Sequence, residues 1–256
     1  MDRRGDRPSL LLVHGAANGA WVWDAWRRHL RALGWDANVL DLRGHGRSMP
    51  VDLSTVTMED YAADLGSVAT QIATSKGRPP VIGGWSMGGL VAMMHAAQHP
   101  ETPALLLFSP SPPLEVAGRG EPDEVRRTPA GVFGPEVYGV YPDDGASSHE
   151  ALRDLRADEI ARVLQNSAGA VESGMARRQR KRGISIAAGG VSCPSLVVYG
   201  DDDQSFSPEA NRRLALYLGG ESLAVPDAGH WGIVYSERAV EETAPHLDAW
   251  LQRVLN

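Results

Sequence analysis

The pentapeptide Gly84-Trp85-Ser86-Met87-Gly88 follows a short apolar run, Pro80-Val81-Ile82-Gly83, and opens the helix-like stretch Gly89-Leu90-Val91-Ala92-Met93-Met94-His95-Ala96-Ala97. A strand must therefore pass into a helix through one tight turn, with Ser86 at its apex. Glycines at both ends let helix crowd against strand and tolerate a strained backbone that side chains would obstruct. The Ser86 hydroxyl is then exposed at a helix N-terminus, where the dipole and unpaired N–H groups favour developing negative charge.

The rest of the chain supplies a frame for such a turn. Aliphatic or β-branched runs recur at Ser9 to Val13, Asn38 to Leu42, Pro80 to Gly83, Ala104 to Phe108, Ser195 to Tyr199 and Ser222 to Val225. Their continuous, non-alternating apolar character predicts a mostly parallel sheet of about six or more strands. Helical patterns lie between them at Trp21 to Leu33, Met58 to Thr74, Met87 to Gln98, Pro208 to Leu218 and Ser236 to Leu255. This alternation predicts an α/β fold, doubly wound, with helices on both faces. Gly34 stands where a helix stop belongs, and Thr57 with Glu59-Asp60 reads as a cap and an acidic first turn.

The 256 residues suffice for one large domain with a full core. Between Pro110 and about Val191 the rhythm breaks. That segment is rich in Pro, Gly and charge before helical spacing returns around Glu150 to Leu164. A plain loop of this length is not expected in a compact domain. The reading is a core of residues 1–109 and 192–256, with 110–191 inserted as a helical cap over the carboxyl edge of the sheet, where open α/β sheets bind ligands. Within it, the basic run Arg177-Arg178-Gln179-Arg180-Lys181-Arg182 reads as a solvated face.

Composition excludes several function classes. With 43% hydrophobic and 22% charged residues and a net charge of −7, the chain lacks the basic surplus that nucleic-acid backbones attract. The apolar run Leu10 to Val13 is too short to span a bilayer and is interrupted by His14-Gly15, so neither a signal peptide nor a membrane partner is expected. A single Cys193, set before Pro194 as a small buried filler, allows no internal disulfide and agrees with a cytoplasmic protein.

A serine hydroxyl becomes a useful nucleophile only with a base in reach and a third group to hold that base. Gly200-Asp201-Asp202-Asp203 follows one predicted strand and Gly229-His230-Trp231 follows the last, so both project from carboxyl ends. The chain order is Ser, Asp, His. The spacing Gly-x-x-Asp selects Asp203 to orient His230, with Asp202 as its rival, while Phe108-Ser109-Pro110-Ser111 offers no acid after the preceding strand.

Four separated motifs now stand in order: Leu12-Val13-His14-Gly15-Ala16, Asp41-Leu42-Arg43-Gly44-His45-Gly46-Arg47-Ser48, the Ser86 turn, and the paired Asp203 and His230 turns. Together they resemble the α/β-hydrolase fold superfamily of carboxylesterases, lipases and acyl hydrolases, over nearly the whole chain outside Pro110 to Val191. The stretch His14 to Trp23 is also similar to plant methyl esterases and hydroxynitrile lyases. The resemblance implies that Ser86 attacks an acyl carbonyl, that His230 carries the proton, that Asp203 steadies the imidazolium, and that backbone N–H groups of Ala16 and Met87 form the oxyanion hole. Pro208 lies five residues after Asp203, where many relatives place a proline four after the acid, which keeps Asp202 in play. His14 and His45 read as scaffolds of their loops.

Trp21, Trp85, Met87, Tyr138 and Trp231, with Met175, are candidate pocket residues suited to an apolar acyl or aryl ester. His95 and His99 lie four apart without the acid of a zincin motif, and the glycine pairs belong to the Ser86 turn, so neither metal nor cofactor is expected. The expected activity is hydrolysis of small-molecule carboxylic esters through an acyl-enzyme. Lactonases, C–C bond hydrolases and hydroxynitrile lyases reuse the same triad, and a slow-turnover ligand receptor is a further reading.

Overall fold

The computed structural model describes residues 7–118, 122–128 and 130–256. In chain order its strands are β1 (Leu10–Val13), β2 (Ala37–Leu40), β3 (Val81–Trp85), β4 (Leu105–Phe108), β5 (Val132–Phe133), β6 (Glu172–Ser173), β7 (Ser195–Gly200) and β8 (Glu221–Val225). Six of them form one sheet in the order β2-β1-β3-β4-β7-β8, and every neighbouring pair in it is parallel. From β1 the chain steps outward to β2, then returns to the other side of β1 as β3. The switch point of the winding therefore lies between β1 and β3, the crevice where such sheets bind ligands.

The helices are α1 (Asp24–Ala32), α2 (Met58–Lys76), α3 (Met87–Gln98), α4 (Leu114–Ala117), α5 (Pro122–Arg127), α6 (Ala157–Ser167), α7 (Gly174–Arg182), α8 (Pro208–Tyr217), α9 (Gly232–Tyr235) and α10 (Glu237–Val254). Successive strand side chains point to opposite faces, so each buried strand feeds two cores. Leu10, Leu12, Leu106 and Val198 join Trp26 of α1 and Leu247 of α10 in one; Leu11, Val13, Leu107 and Val197 join Leu65, Leu90 and Leu214 of α2, α3 and α8 in the other. β1, β3, β4 and β7 are buried along their whole length, which explains their uninterrupted apolar sequence. α2 starts at a reciprocal cap: Asp60 N donates to Thr57 Oγ1 at 3.2 Å, and Thr57 N donates to the Asp60 carboxylate at 2.9 Å. Among the described residues no helix is long and apolar enough to cross a membrane.

The segment between β4 and β7 departs from the sequence reading in detail. It holds a short antiparallel pair, β5 with β6, and its helix α6 begins at Ala157 rather than near Glu150. Glu159 sets that start, accepting from Arg156 N at 2.8 Å, and its other oxygen accepts from Glu237 N at 2.8 Å, which ties α6 to the head of α10. Apolar residues of the segment enter both cores, Leu152 and Val163 on one side of the sheet and Val116 and Ala176 on the other. Cys193, expected as a small buried filler, is partly buried and packs against one of the cores.

Close approach of α3 to the sheet depends on glycine. A Cβ on Gly84 would stand 2.1 Å from Gly88 O, and one on Gly88 would stand 2.4 Å from His14 O and 2.5 Å from Val13 O. These obstacles are backbone and cannot rotate away. Gly88→Ala should cost ~3 kcal/mol of stability through overpacking, whereas Gly77→Ala, at φ 74° with open space around it, should cost ~1 kcal/mol. Urea denaturation of the two variants checks the ranking, and equal losses would contradict this account of the packing.

Candidate active site

β3 ends at Trp85 and α3 begins at Met87, leaving Ser86 between them at φ 54°, ψ −118°. A side-chain-bearing residue in this region costs ~1–3 kcal/mol and needs its surroundings to hold it. They do so through the backbone: Ser86 N donates to Phe108 O at 3.1 Å, while Ser86 O accepts from Ser111 N at 2.8 Å and Gly89 N at 3.1 Å. Ser86 is thus fastened to the end of β4 and to the chain that follows it.

Beyond β7, Asp203 folds inward and is only 3% exposed. Its Oδ1 accepts from Ser205 N at 2.7 Å and Phe206 N at 3.0 Å; its Oδ2 lies 2.9 Å from His230 Nδ1. Burial pushes its carboxyl upward, but the charge and hydrogen bond of His230 and the Phe206 N–H prevail and hold it below the usual carboxylate range. A carboxylate there makes Nδ1 the protonated nitrogen, which leaves Nε2 as the basic one. Asp202 points elsewhere, accepting from Arg153 Nη2 at 2.7 Å and Nε at 3.1 Å. Of the two adjacent aspartates, Asp203 meets His230.

The histidine turn is braced from three directions. Trp85 Nε1 donates to His230 O at 3.0 Å, the Phe206 ring stands edge-on 5.5 Å from the imidazole, and Asp154 accepts from Gly229 N at 2.6 Å. After β1, Ala16 is held by Asn18 Nδ2, which donates to its carbonyl at 2.8 Å. Met87 contributes no side chain to this space, being wholly buried in the core. Its N–H belongs to the first turn of α3 and so has no acceptor within the helix.

Ser86, His230, Ala16, Trp85, Tyr138 and Trp231 line one cavity of about 260 Å³. Trp21, expected beside them, does not: it stacks on Trp231 at 6.3 Å and meets Tyr235 edge-on at 5.5 Å, so it backs the wall instead of forming it. Met175 is exposed and also outside the lining. The basic run of α7 is not a plain solvated face, since Arg180 lines the cavity. Sequence reading missed Arg180, Asp154 and Glu172. The usable signal for Arg180 was its i, i+4 relation to the small Ala176, which is buried and marks the inward face of the helix.

Behind the cavity lies a cluster of charged and polar side chains. Glu172 is fully buried and accepts from Tyr61 Oη at 2.5 Å, Ser173 N at 2.7 Å and Ala17 N at 3.1 Å, with His45 Nε2 3.4 Å away. Ala17 follows the Ala16 loop residue and has φ 54°, so Glu172 clamps that loop in a strained form. Burial acts to raise the Glu172 carboxyl, but the nearby His45 imidazole, with the Tyr61 hydroxyl and the Ser173 N–H, pulls it down to about 2. For His45 burial acts to lower the imidazole, and the adjacent Glu172 carboxylate outweighs it and raises it. Next to it His14 is lowered to about 4, by burial first and then by the His45 charge. As a neutral ring, His14 accepts from Leu42 N at 3.2 Å through Nε2 and donates through Nδ1 to Gly15 O at 2.8 Å.

Comparison with known proteins comes at three levels. The family model described as the alpha/beta hydrolase family matches residues 10–246. A pimeloyl-[acyl-carrier protein] methyl ester esterase of Stenotrophomonas maltophilia is 29% identical over 238 residues, spanning 88% of this chain and 87% of that one. Its counterpart from Xanthomonas oryzae is 30% identical over 244 residues, 90% of each chain. Among solved structures, a thermophilic esterase from Thermogutta terrifontis aligns over 98% of this chain and 91% of its own with a TM-score of 0.73 and 24% identity, a likeness of fold.

Glu172 and His45 set opposite limits on stability. The lowered carboxyl stabilises the fold above its ordinary value of 4.5, and that contribution is lost as pH falls toward about 2. The raised imidazole stabilises it below its ordinary 6.5, and that contribution is lost as pH climbs through its folded value. Both are in force between roughly pH 4.5 and 6.5. Glu172→Gln should destabilise the protein by roughly 3–5 kcal/mol, as expected for breaking a buried pair, with the largest gap from wild type in that window. Thermal melts across pH test this; a gap that is flat with pH would contradict the pairing.

Proposed function

The chain belongs to the alpha/beta hydrolase family, and on that premise we propose that it is a serine hydrolase of carboxylic esters that works through an acyl-enzyme. Ser86 Oγ attacks the acyl carbon while His230 Nε2 takes its proton. The carbonyl oxygen becomes an oxyanion received by the N–H groups of Ala16 and Met87, at the positive end of α3. As the tetrahedral centre collapses, the bond to the alkoxy oxygen breaks and His230 returns the proton to the departing alcohol. Water then attacks the Ser86 ester with His230 again as base, and the carboxylic acid leaves as Ser86 regains its proton. Asp203 keeps the imidazole in the tautomer that each step needs and stabilises its cation.

The observation that carries this reading is the convergence of a strained Ser86 and an Asp203-paired His230 on one cavity, at the carboxyl ends of the strands. Such backbone strain is the sort of cost that active sites retain. In this reading residues 110–191 are a cap over that edge, supported by Tyr138, Asp154 and Arg180, which line the cavity from within that segment. A cavity of about 260 Å³ suits small to medium substrates. The relatives named as methyl ester esterases support a small leaving alcohol.

Hydrolysis of p-nitrophenyl esters from acetate to palmitate tests the proposal. Ser86→Ala is expected to lower kcat by about 10⁶ with the fold intact by circular dichroism. A variant that retains activity would refute the nucleophile. Asp203→Asn is expected to lower kcat roughly 10⁴-fold and Asp202→Asn far less, because Asp202 engages Arg153. The reverse ranking would move the orienting role to Asp202.

A further inference from the structure

The cationic side chains of α7 have separate settings. The Arg177 guanidinium lies over the Phe133 and Tyr138 rings at 5.2 and 5.0 Å, and Arg178 Nε donates to Thr128 O at 3.1 Å. Arg180 turns into the cavity that holds Ser86. Its Nη2 donates to Tyr138 Oη at 3.0 Å and its Nη1 lies 3.5 Å from Ser111 Oγ, both neutral hydroxyls. Its Nε is buried without an acceptor, and among the described residues no carboxylate lies within ion-pair distance of the guanidinium. An arginine stays charged in such a place, and the Glu172 charge, which helps hold the guanidinium protonated, acts on it from beyond ion-pair distance and leaves Nε unsatisfied.

The other charged groups of the cavity wall have partners, although one oxygen of Asp154, Oδ1, is buried without one. Arg153 holds both Asp202 and Glu150, Asp203 holds His230, and Asp154 accepts the Gly229 N–H, with burial pushing its carboxyl upward. Acidic groups therefore gather around the histidine turn, where the leaving alcohol must receive its proton. Arg180 engages none of these groups and meets Tyr138 and Ser111 instead. Ser111, its hydroxyl neighbour, donates its N–H to Ser86 O at 2.8 Å, which puts the guanidinium about one side chain from the reacting serine.

We propose that Arg180 and the Tyr138 hydroxyl seat a carboxylate on the acyl part of the substrate, so that the preferred esters are half-esters of short dicarboxylic acids. The inference rests on the serine-esterase reading of the site. A carboxylate on the alcohol part would instead face Asp154 and Asp202 beside His230. Tyr138 Oη accepts from Arg180 and keeps its own hydrogen to donate, and a guanidinium fork is built to hold two carboxylate oxygens. The same cation turns away apolar acyl chains that end beside it, because they would leave it buried and unpaired.

The test compares monomethyl glutarate with its uncharged twin, dimethyl glutarate, by initial methanol release. The wild-type protein should favour the half-ester by roughly 10-fold or more in kcat/KM. Arg180→Gln should lower the half-ester value by about 100-fold and the diester value far less, with Arg180→Lys between. A wild-type preference for the diester overturns the proposal without any variant. Equal losses on both esters in Arg180→Gln overturn it too, assigning the cation to charge developed in the reaction. Glutarate should inhibit diester hydrolysis competitively; tighter inhibition by inorganic phosphate would make the seat a phosphate site instead. Ser86-dependent p-nitrophenyl acetate hydrolysis without half-ester preference would sink only the carboxylate seat, whereas loss of Ser86 dependence would sink the esterase reading itself.

Discussion

The site depends on how tightly α3 is pressed onto the ends of β1 and β3. Gly84 and Gly88 meet at a distance that a single methyl group would forbid, and the backbone of Val13 and His14 closes the same contact from the side. This packing forces Ser86 into a positive φ that the carbonyl of Phe108 and the N–H of Ser111 then hold. The serine is therefore positioned by main-chain contacts of three neighbouring segments, none of which can relax alone. The strain is offset by the apolar burial of the strands on either side.

A second constraint acts from the segment between β4 and β7. Glu172, at the end of its short strand pair, reaches Ala17 N next to the Ala16 loop, and Asp154 reaches Gly229 N next to His230. Two carboxylates of this segment thus fasten two loops that surround Ser86. Asp154 also lines the cavity while Glu172 lies outside its lining, and each fixes the backbone of a loop beside Ser86. The buried Glu172 is tolerable because Tyr61, His45 and two N–H groups share its charge. The cavity between these fastenings is lined by Asp154 and by Asp202 with its Arg153 partner, and also by Arg180, which bonds to Tyr138.

Where steric demand dictates residue type, the sequence is readable. The glycines around Ser86 and the uninterrupted apolar strands fall in this class, and the sheet follows from them. Adjacent Asp202 and Asp203 are less readable, because the direction of one turn decides which carboxyl reaches His230. Trp21 is similar: its composition suits a pocket wall, but stacking on Trp231 turns it into a second row. The segment 110–191 was least readable. Its β5 and β6 are two residues each, its α4 has four, and single side chains such as Glu159 and Glu172 set its course. Such contacts have no period. In the basic run, identical neighbours hide Arg180, and only its place one turn beyond Ala176 separates it from the rest.

The central claim is that Ser86 carries the acyl group between two half-reactions. Rapid acid quenching after mixing the protein with p-nitrophenyl acetate, followed by mass spectrometry of the peptide that contains Ser86, tests it most directly. The account predicts an acetyl group on Ser86 that forms before steady state and disappears as substrate runs out. Turnover of the ester with Ser86 unmodified throughout, or with the acetyl group on another residue, would contradict it.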